Sequence, residues 1–244
     1  MQGFFGKIPS HGDFVTRNLP RHFLDGWDEW LQRAIAASKA ELGEAWLTTF
    51  LNSPIWRFVL LPGVCGDRGW AGIVMPSVDR VGRYFPLTIA SSLHENACPF
   101  TVAEDVDHWF NAAESLALGV LNEEHVDADA LEESLSALDD TELQSQPDNV
   151  PALEGSEWGI QLSGIASGTI SSVVAHELVR FQVGPYSLWW TAGSADLTSL
   201  GLVAPNLPDP QCFARLLQDT WGDVEQADSL QSGMPEDELA EDTG

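Results

Sequence analysis

Basic side chains are scarce in this 244-residue chain and run out early: eleven Lys and Arg stand against 37 Asp and Glu, a formal charge of −26. Nine of the eleven lie before position 84, and only Arg180 and Arg215 follow. Without clustered cations a chain cannot neutralise a phosphate backbone, so nucleic acid is excluded as a partner class, and an anionic lipid surface with it. No apolar run approaches the ~20 residues that span a bilayer, so no membrane insertion is expected. The opening MQGFFGKIPSHGDF has no charged segment leading into an apolar one, so it does not read as a signal peptide. Cys65, Cys98 and Cys212 are scattered and never at C-x-x-C spacing, which argues against a structural zinc site and a disulfide framework. The expected setting is a reducing cytoplasm. The Gly-rich turn over 62–69 lacks the G-x-x-x-x-G-K-[ST] pattern and any helix directly after it, so a phosphate loop is not expected, nor any other cofactor.

What is abundant is core-forming material. Hydrophobic residues make up 44% of the chain and include ten tryptophans, enough for one sizeable globular domain. Charge divides that domain: residues 1–90 carry nine basic and eight acidic side chains, the remainder two basic and 29 acidic. Over 104–148 there is no Lys or Arg at all. Each single acid there reads as a solvated helix face, whereas the complete lack of cations hints at a partner-facing or self-repelling surface. The organisation that follows is a core half over 1–94, an acidic half over 95–222 completing the same domain, and a disordered acidic tail over 223–244.

Periodicity supplies the elements. Phe23, Leu24, Trp27, Trp30, Leu31, Ala34 and Ile35 recur at helical spacing and predict a helix over 20–42, with Pro20 in its first turn and Gly43 as its stop. A shorter helix is predicted over 45–51. Runs 55–61 and 70–75 read as a strand hairpin, and 84–89 as a further strand. Thr101 and Glu104 have capping-box spacing and predict the start of a helix whose apolar face runs from Val106 to Val120. A third helix is predicted from Asp127, a linker over 145–156, a strand over 158–162 and a helix over 170–180. Strands over 186–191 and 200–203 pair across a turn, and Asp209-Pro210 opens a last helix.

The stretch 70–90, WAGIVMPSVDRVGRYFPLTIA, holds Asp79, Arg80 and Arg83 between two apolar runs. Such an insert is either a salt-bridged corner or a recognition surface. Arg57, inside the apolar run IWRFVLL, needs a carboxylate or carbonyl partner. Asp79 is the expected one, with Arg83 as its alternative mate. In the recognition reading Arg80 and Arg83 face an acidic or phosphorylated partner, because the guanidinium fork matches carboxylate and phosphate. Two enzymatic alternatives stand beside it: a hydrolase using His11, Asp13 and Asp79, or thiol chemistry at Cys65 if that sulfur is exposed beside arginine.

The motifs GFFGKIPSHGDF (3–14), LPRHFLDGWDEWLQ (19–32), PIWRFVLLPGVCG (54–66), the 70–90 stretch, SLWWT (187–191) and LPDPQCF (207–213), in this order, resemble the TagF family, also called ImpM, of type VI secretion system-associated proteins. The resemblance covers most of 3–90 and two anchors near the C-terminus; residues 95–185 are not matched by it. It implies an α/β sandwich, a central mixed or antiparallel sheet flanked by helices on both faces. It also implies a cytoplasmic accessory protein without enzymatic activity. Such a protein would repress secretion post-translationally by engaging a scaffold with a forkhead-associated (FHA) domain. A structural subunit of the apparatus is the remaining alternative. Residues alone give neither the sign of regulation nor the oligomeric state.

Overall fold

The structure, a computed structural model, describes residues 1–122, 127–144, 169–193 and 199–218. The predicted linker at 145–156, the strand at 158–162 and the tail from 223 lie outside them. In chain order the elements are β1 (Gln2–Gly6), β2 (Val15–Arg17), α1 (Arg21–Leu42), α2 (Trp46–Asn52), β3 (Trp56–Leu60), β4 (Trp70–Met75) and β5 (Leu87–Ser92). There follow α3 (Pro99–Asp105), α4 (Asp107–Asn122), α5 (Ala128–Ser136), α6 (Thr141–Gln144), α7 (Thr169–Val183), β6 (Tyr186–Thr191), β7 (Leu200–Pro205) and α8 (Phe213–Leu217). The strands form one seven-stranded sheet in the order β2-β1-β5-β4-β3-β6-β7, and every pairing is antiparallel.

Helices cover both faces, as the resemblance implied, which is why the central strands are apolar at consecutive positions. Trp56, Phe58 and Leu60 of β3 face α1 and α8, where they meet Phe23, Trp27, Trp30, Trp189 and Phe213. Their neighbour Val59 faces the layer of α3–α6, with Ala71, Ile73, Ile89, Trp109, Phe110 and Leu131. Strand alternation thus sorts the chain into an aromatic core on one side and a mostly aliphatic one on the other. Gly72 is required where the aromatic side is tightest: a Cβ there would lie 2.4 Å from the Phe58 ring and 2.5 Å from the Ile89 carbonyl oxygen.

Two predicted boundaries move. The helix expected to open on a Thr101–Glu104 capping box starts instead at Pro99, and Thr101 lies inside it with its hydroxyl buried and unpartnered among the described residues. Proline suits a helix start, and Glu104 is drawn away to accept from the Ser172 hydroxyl at 2.6 Å, so the reciprocal cap cannot form. The chain breaks at Val106 and α4 restarts at Asp107. The strand expected from Tyr84 begins at Leu87, because Pro86 has no N–H for the ladder; Tyr84 makes only an isolated bridge to Val78.

One buried contact carries a pH prediction. His176 of α7 has Nδ1 2.8 Å from the Tyr186 hydroxyl and Nε2 3.9 Å from Glu177. Burial, and secondarily Arg180, lower its pKa from 6.5 to about 4. The unfolded chain therefore takes up a proton below pH 6.5 that the folded chain refuses until about pH 4, and stability falls across that window. Allowing for solvent screening, the expected loss is about 2 kcal/mol. Urea unfolding of wild type and His176→Gln between pH 7 and pH 4.5 checks it. Equal pH slopes for the two proteins would overturn it.

Candidate functional site

Asp79 organises the corner between β4 and β5. Both its oxygens are saturated: Oδ2 accepts from Lys7 Nζ at 2.8 Å and Arg83 Nε at 2.7 Å, Oδ1 from the backbone N–H groups of Val81 at 3.0 Å and Arg83 at 2.8 Å. Its side chain is fully buried and that of Lys7 nearly so. Burial alone would raise the Asp79 pKa; the hydrogen bonds from Lys7, Arg83 and Val81 outweigh it and hold the carboxylate well below its ordinary range. Three more bonds fasten the loop to the chain after β1: Ser77 Oγ to the Lys7 carbonyl at 2.7 Å, the Arg80 N–H to the His11 carbonyl at 2.8 Å, and the Arg83 guanidinium to the Gly12 carbonyl. The left-handed φ of +84° at Gly82 closes the tip.

Arg57 is not part of this corner, contrary to the expectation that Asp79 is its partner. Strand alternation aims it at α4, where Nε bonds Glu114 at 2.6 Å, Nη1 bonds Asp107 at 2.8 Å and Nη2 bonds Asn111 at 2.6 Å. Arg17 of β2 does the same to α5, through Asp129 and Glu132. Part of the acidic surface of the second half is thus spent holding α4 and α5 onto the cations of the first. Lys7 is the member that sequence reasoning missed. A signal was present: a lysine inside the apolar opening GFFGKIP is placed for burial, and a buried ammonium needs a carboxylate.

What remains at the corner for other molecules is cationic and rigid. Arg80 is exposed, lies over Gly12, and has no hydrogen bond or ion pair from its guanidinium among the described residues. Arg83 is anchored by one edge yet 56% exposed, leaving a fork edge for a ligand. Val81, 65% exposed, projects between them. On a molecule of formal charge −26, two guanidiniums on a braced loop form a local attraction for anions.

The enzymatic alternatives are not assembled. His11 Nδ1 meets the Ser10 hydroxyl at 3.1 Å, Asp13 accepts from the Phe14 N–H at 2.9 Å, and Asp79 has no oxygen to spare. Cys65 is buried, and desolvation pushes its thiol up to about 12. Native Cys65 is therefore expected to react with a thiol reagent at pH 8 roughly 1,000-fold more slowly than in the unfolded chain, checked by mass-resolved alkylation. Comparable rates would overturn that. Among the described residues, no group of His, Cys, Asp and Glu could hold a metal ion, and no helix is long and apolar enough to cross a membrane.

Two of three comparisons place this chain among known proteins. A family model described as the TagF N-terminal domain, type VI secretion system-associated, matches residues 3–138. The crystal structure of PA0076 from Pseudomonas aeruginosa PAO1 is 35% identical, covers 89% of this chain and 94% of its own, and has a TM-score of 0.77. No curated protein matches the chain.

Proposed function

Because this chain belongs to the TagF family of type VI secretion system-associated proteins, we propose that it is a cytoplasmic regulator of that apparatus. It represses secretion by binding an FHA-domain scaffold rather than by catalysis. The family association supports the accessory role. The observation that carries a binding role is the Arg80/Arg83 corner, braced so that the Arg83 guanidinium is held by Asp79 and the Arg80 backbone by the His11 carbonyl, which presents both side chains to an acidic or phosphorylated surface. Repression, and the FHA scaffold as its target, follow from the family resemblance. The paired-off His11 and Asp13, and the buried Cys65, favour binding over chemistry.

The test is capture of the purified scaffold at two salt concentrations with wild type and with Arg80→Glu/Arg83→Glu. Reversing two rim charges is expected to weaken capture at least tenfold with little change in thermal stability, and wild-type capture should fall as salt rises. Undiminished capture by a folded variant would remove the corner from the interface and move attention to the acidic helices. Absence of capture by wild type would sink the scaffold reading.

A further inference from the structure

The two arginines share their corner with apolar side chains. Phe14 is 45% exposed yet fixed from beneath: its ring stacks on Phe5 at 5.7 Å between centroids and meets Phe85 edge-on at 4.8 Å. Gly12, two residues earlier, accepts from the Arg83 guanidinium, and His11 accepts from the Arg80 N–H. Two residues of chain reach at most about 7 Å, so Phe14 stands on the same rim as both arginines. Val81 projects from the tip of the loop at 65% exposure. Asp13, beside Phe14, turns its carboxylate back to the Phe14 N–H at 2.9 Å. The corner thus presents two apolar knobs next to two guanidiniums.

Which anion such a surface takes is decided by the donors it has left. A phosphate group is cradled by converging backbone N–H groups, in a turn or at a helix N-terminus. Over 79–83 every backbone N–H is already taken. Asp79 donates to the Arg83 carbonyl, Arg80 to the His11 carbonyl, Val81 and Arg83 to Asp79 Oδ1, and Gly82 to the Asp79 carbonyl. What remains is side-chain guanidinium spaced by hydrocarbon: Arg80, and the free edge of Arg83. Two such groups suit carboxylates held apart, and Phe14 and Val81 suit an apolar side chain between them. An acidic segment is repelled by most of a molecule of formal charge −26, so the same cations also fix where it can land. We infer that the corner docks a partner segment in which an apolar residue is flanked by Asp or Glu carboxylates. Phe14 and Val81 supply the apolar contact, Arg80 and Arg83 the charge. The inference rests on the partner-binding reading of the corner and narrows it from anions in general to carboxylates with an apolar anchor.

The probe is a short capped peptide, one leucine between two pairs of glutamates, titrated into the isotope-labelled full-length chain and followed by amide chemical shifts. Shifts are expected at 11–14 and 80–83, with half-saturation at about 1 mM in low salt. Serine in place of the leucine should weaken binding about fivefold, the size that follows from half-burying that side chain. Phe14→Ala and Val81→Ser should each do the same; Val81 sits at an exposed tip, so its variant keeps the test decisive where Phe14→Ala lowers the melting temperature. Equal binding by a phosphothreonine peptide without the leucine would overturn the inference. So would shifts confined to other residues, or shifts at 11–14 and 80–83 on concentrating the chain alone, which assign the face to a second copy. With the FHA scaffold in place of the peptide, Phe14→Ala and Val81→Ser should lower capture about fivefold at both salt concentrations, whereas Arg80→Glu/Arg83→Glu flattens the salt dependence. Capture that needs the arginines but ignores Phe14 and Val81 keeps the scaffold and overturns the apolar anchor. Peptide binding without scaffold capture keeps the anchor and removes the scaffold.

Discussion

Asp79→Ala is expected to lower the melting temperature by roughly 10 °C, the size of effect that follows from stranding a buried cation in a domain this large. The substitution removes the shared acceptor of Lys7, Arg83 and two backbone N–H groups at once. Lys7, only 6% exposed, is left charged with no other carboxylate in ion-pair reach among the described residues. Asp79→Asn keeps an oxygen for the backbone donors while losing the charge, so it should fall between the two. The same carboxylate governs acid stability. Its folded pKa is depressed below the ordinary 3.8, so its contribution is fully present above that value and is lost as pH falls through the folded pKa. Wild type should therefore lose stability in two stages on acidification, first through His176 and then through Asp79. The Asp79 variants should lack the second stage. A melting temperature within 2 °C of wild type for Asp79→Ala would show that the loop is held by its other bonds alone.

Trp27→Ala is expected to cost about 5 kcal/mol, at the upper end for a large core truncation. Trp27 is fully buried at the centre of the aromatic layer, with ring centroids 4.6 Å from Phe58, 5.1 Å from Trp30, 5.5 Å from Phe23 and 5.9 Å from Trp189. Its Nε1–H also donates to the Thr88 hydroxyl at 2.9 Å, across from α1 to β5. Alanine removes the packing on four rings and strands the Thr88 hydroxyl in a dry layer, and the sheet cannot collapse onto the space because β-ladders fix its spacing. Trp27→Phe restores part of the volume but not the donor, and about 2 kcal/mol is expected. Denaturant unfolding followed by far-UV circular dichroism measures both. A loss below 2 kcal/mol for the alanine variant would mean that the aromatic layer repacks.

How much of this was readable from residues depends on the range of the interaction. The apolar stripe from Phe23 to Ile35 set α1, observed at Arg21–Leu42, the continuous apolar run 70–75 set β4 and the alternating run 186–191 set β6, because such patterns are local. Asp127 as an N-cap was equally visible: it accepts from the N–H groups of Asp129 and Ala130 at 3.1 and 2.9 Å. The capping-box spacing at Thr101 was local too, yet misled, since a residue far along the chain, Ser172, took the glutamate. At the corner, the list Asp79, Arg80, Arg83 came from composition, and Arg83 stood there as the alternative mate of Asp79, a pair the structure forms at 2.7 Å. The assignment of Arg57 to Asp79 failed.

The sequence by itself determined the class of molecule and its neighbourhood. It is an acidic α/β domain with aromatic and aliphatic runs, nine of its eleven cations before position 84, and motifs that lead to a type VI secretion family. Those properties are sums over residues, or patterns within a dozen of them. Tertiary structure alone decided who pairs with whom. Strand alternation turned Arg57 toward α4, 50 to 57 residues away, and the antiparallel order that places β1 beside β5 brought Lys7 to Asp79 over 72 residues. Opposite charges attract at any sequence separation, so the register of the sheet selects, among 37 acids, those that Lys7, Arg17 and Arg57 meet.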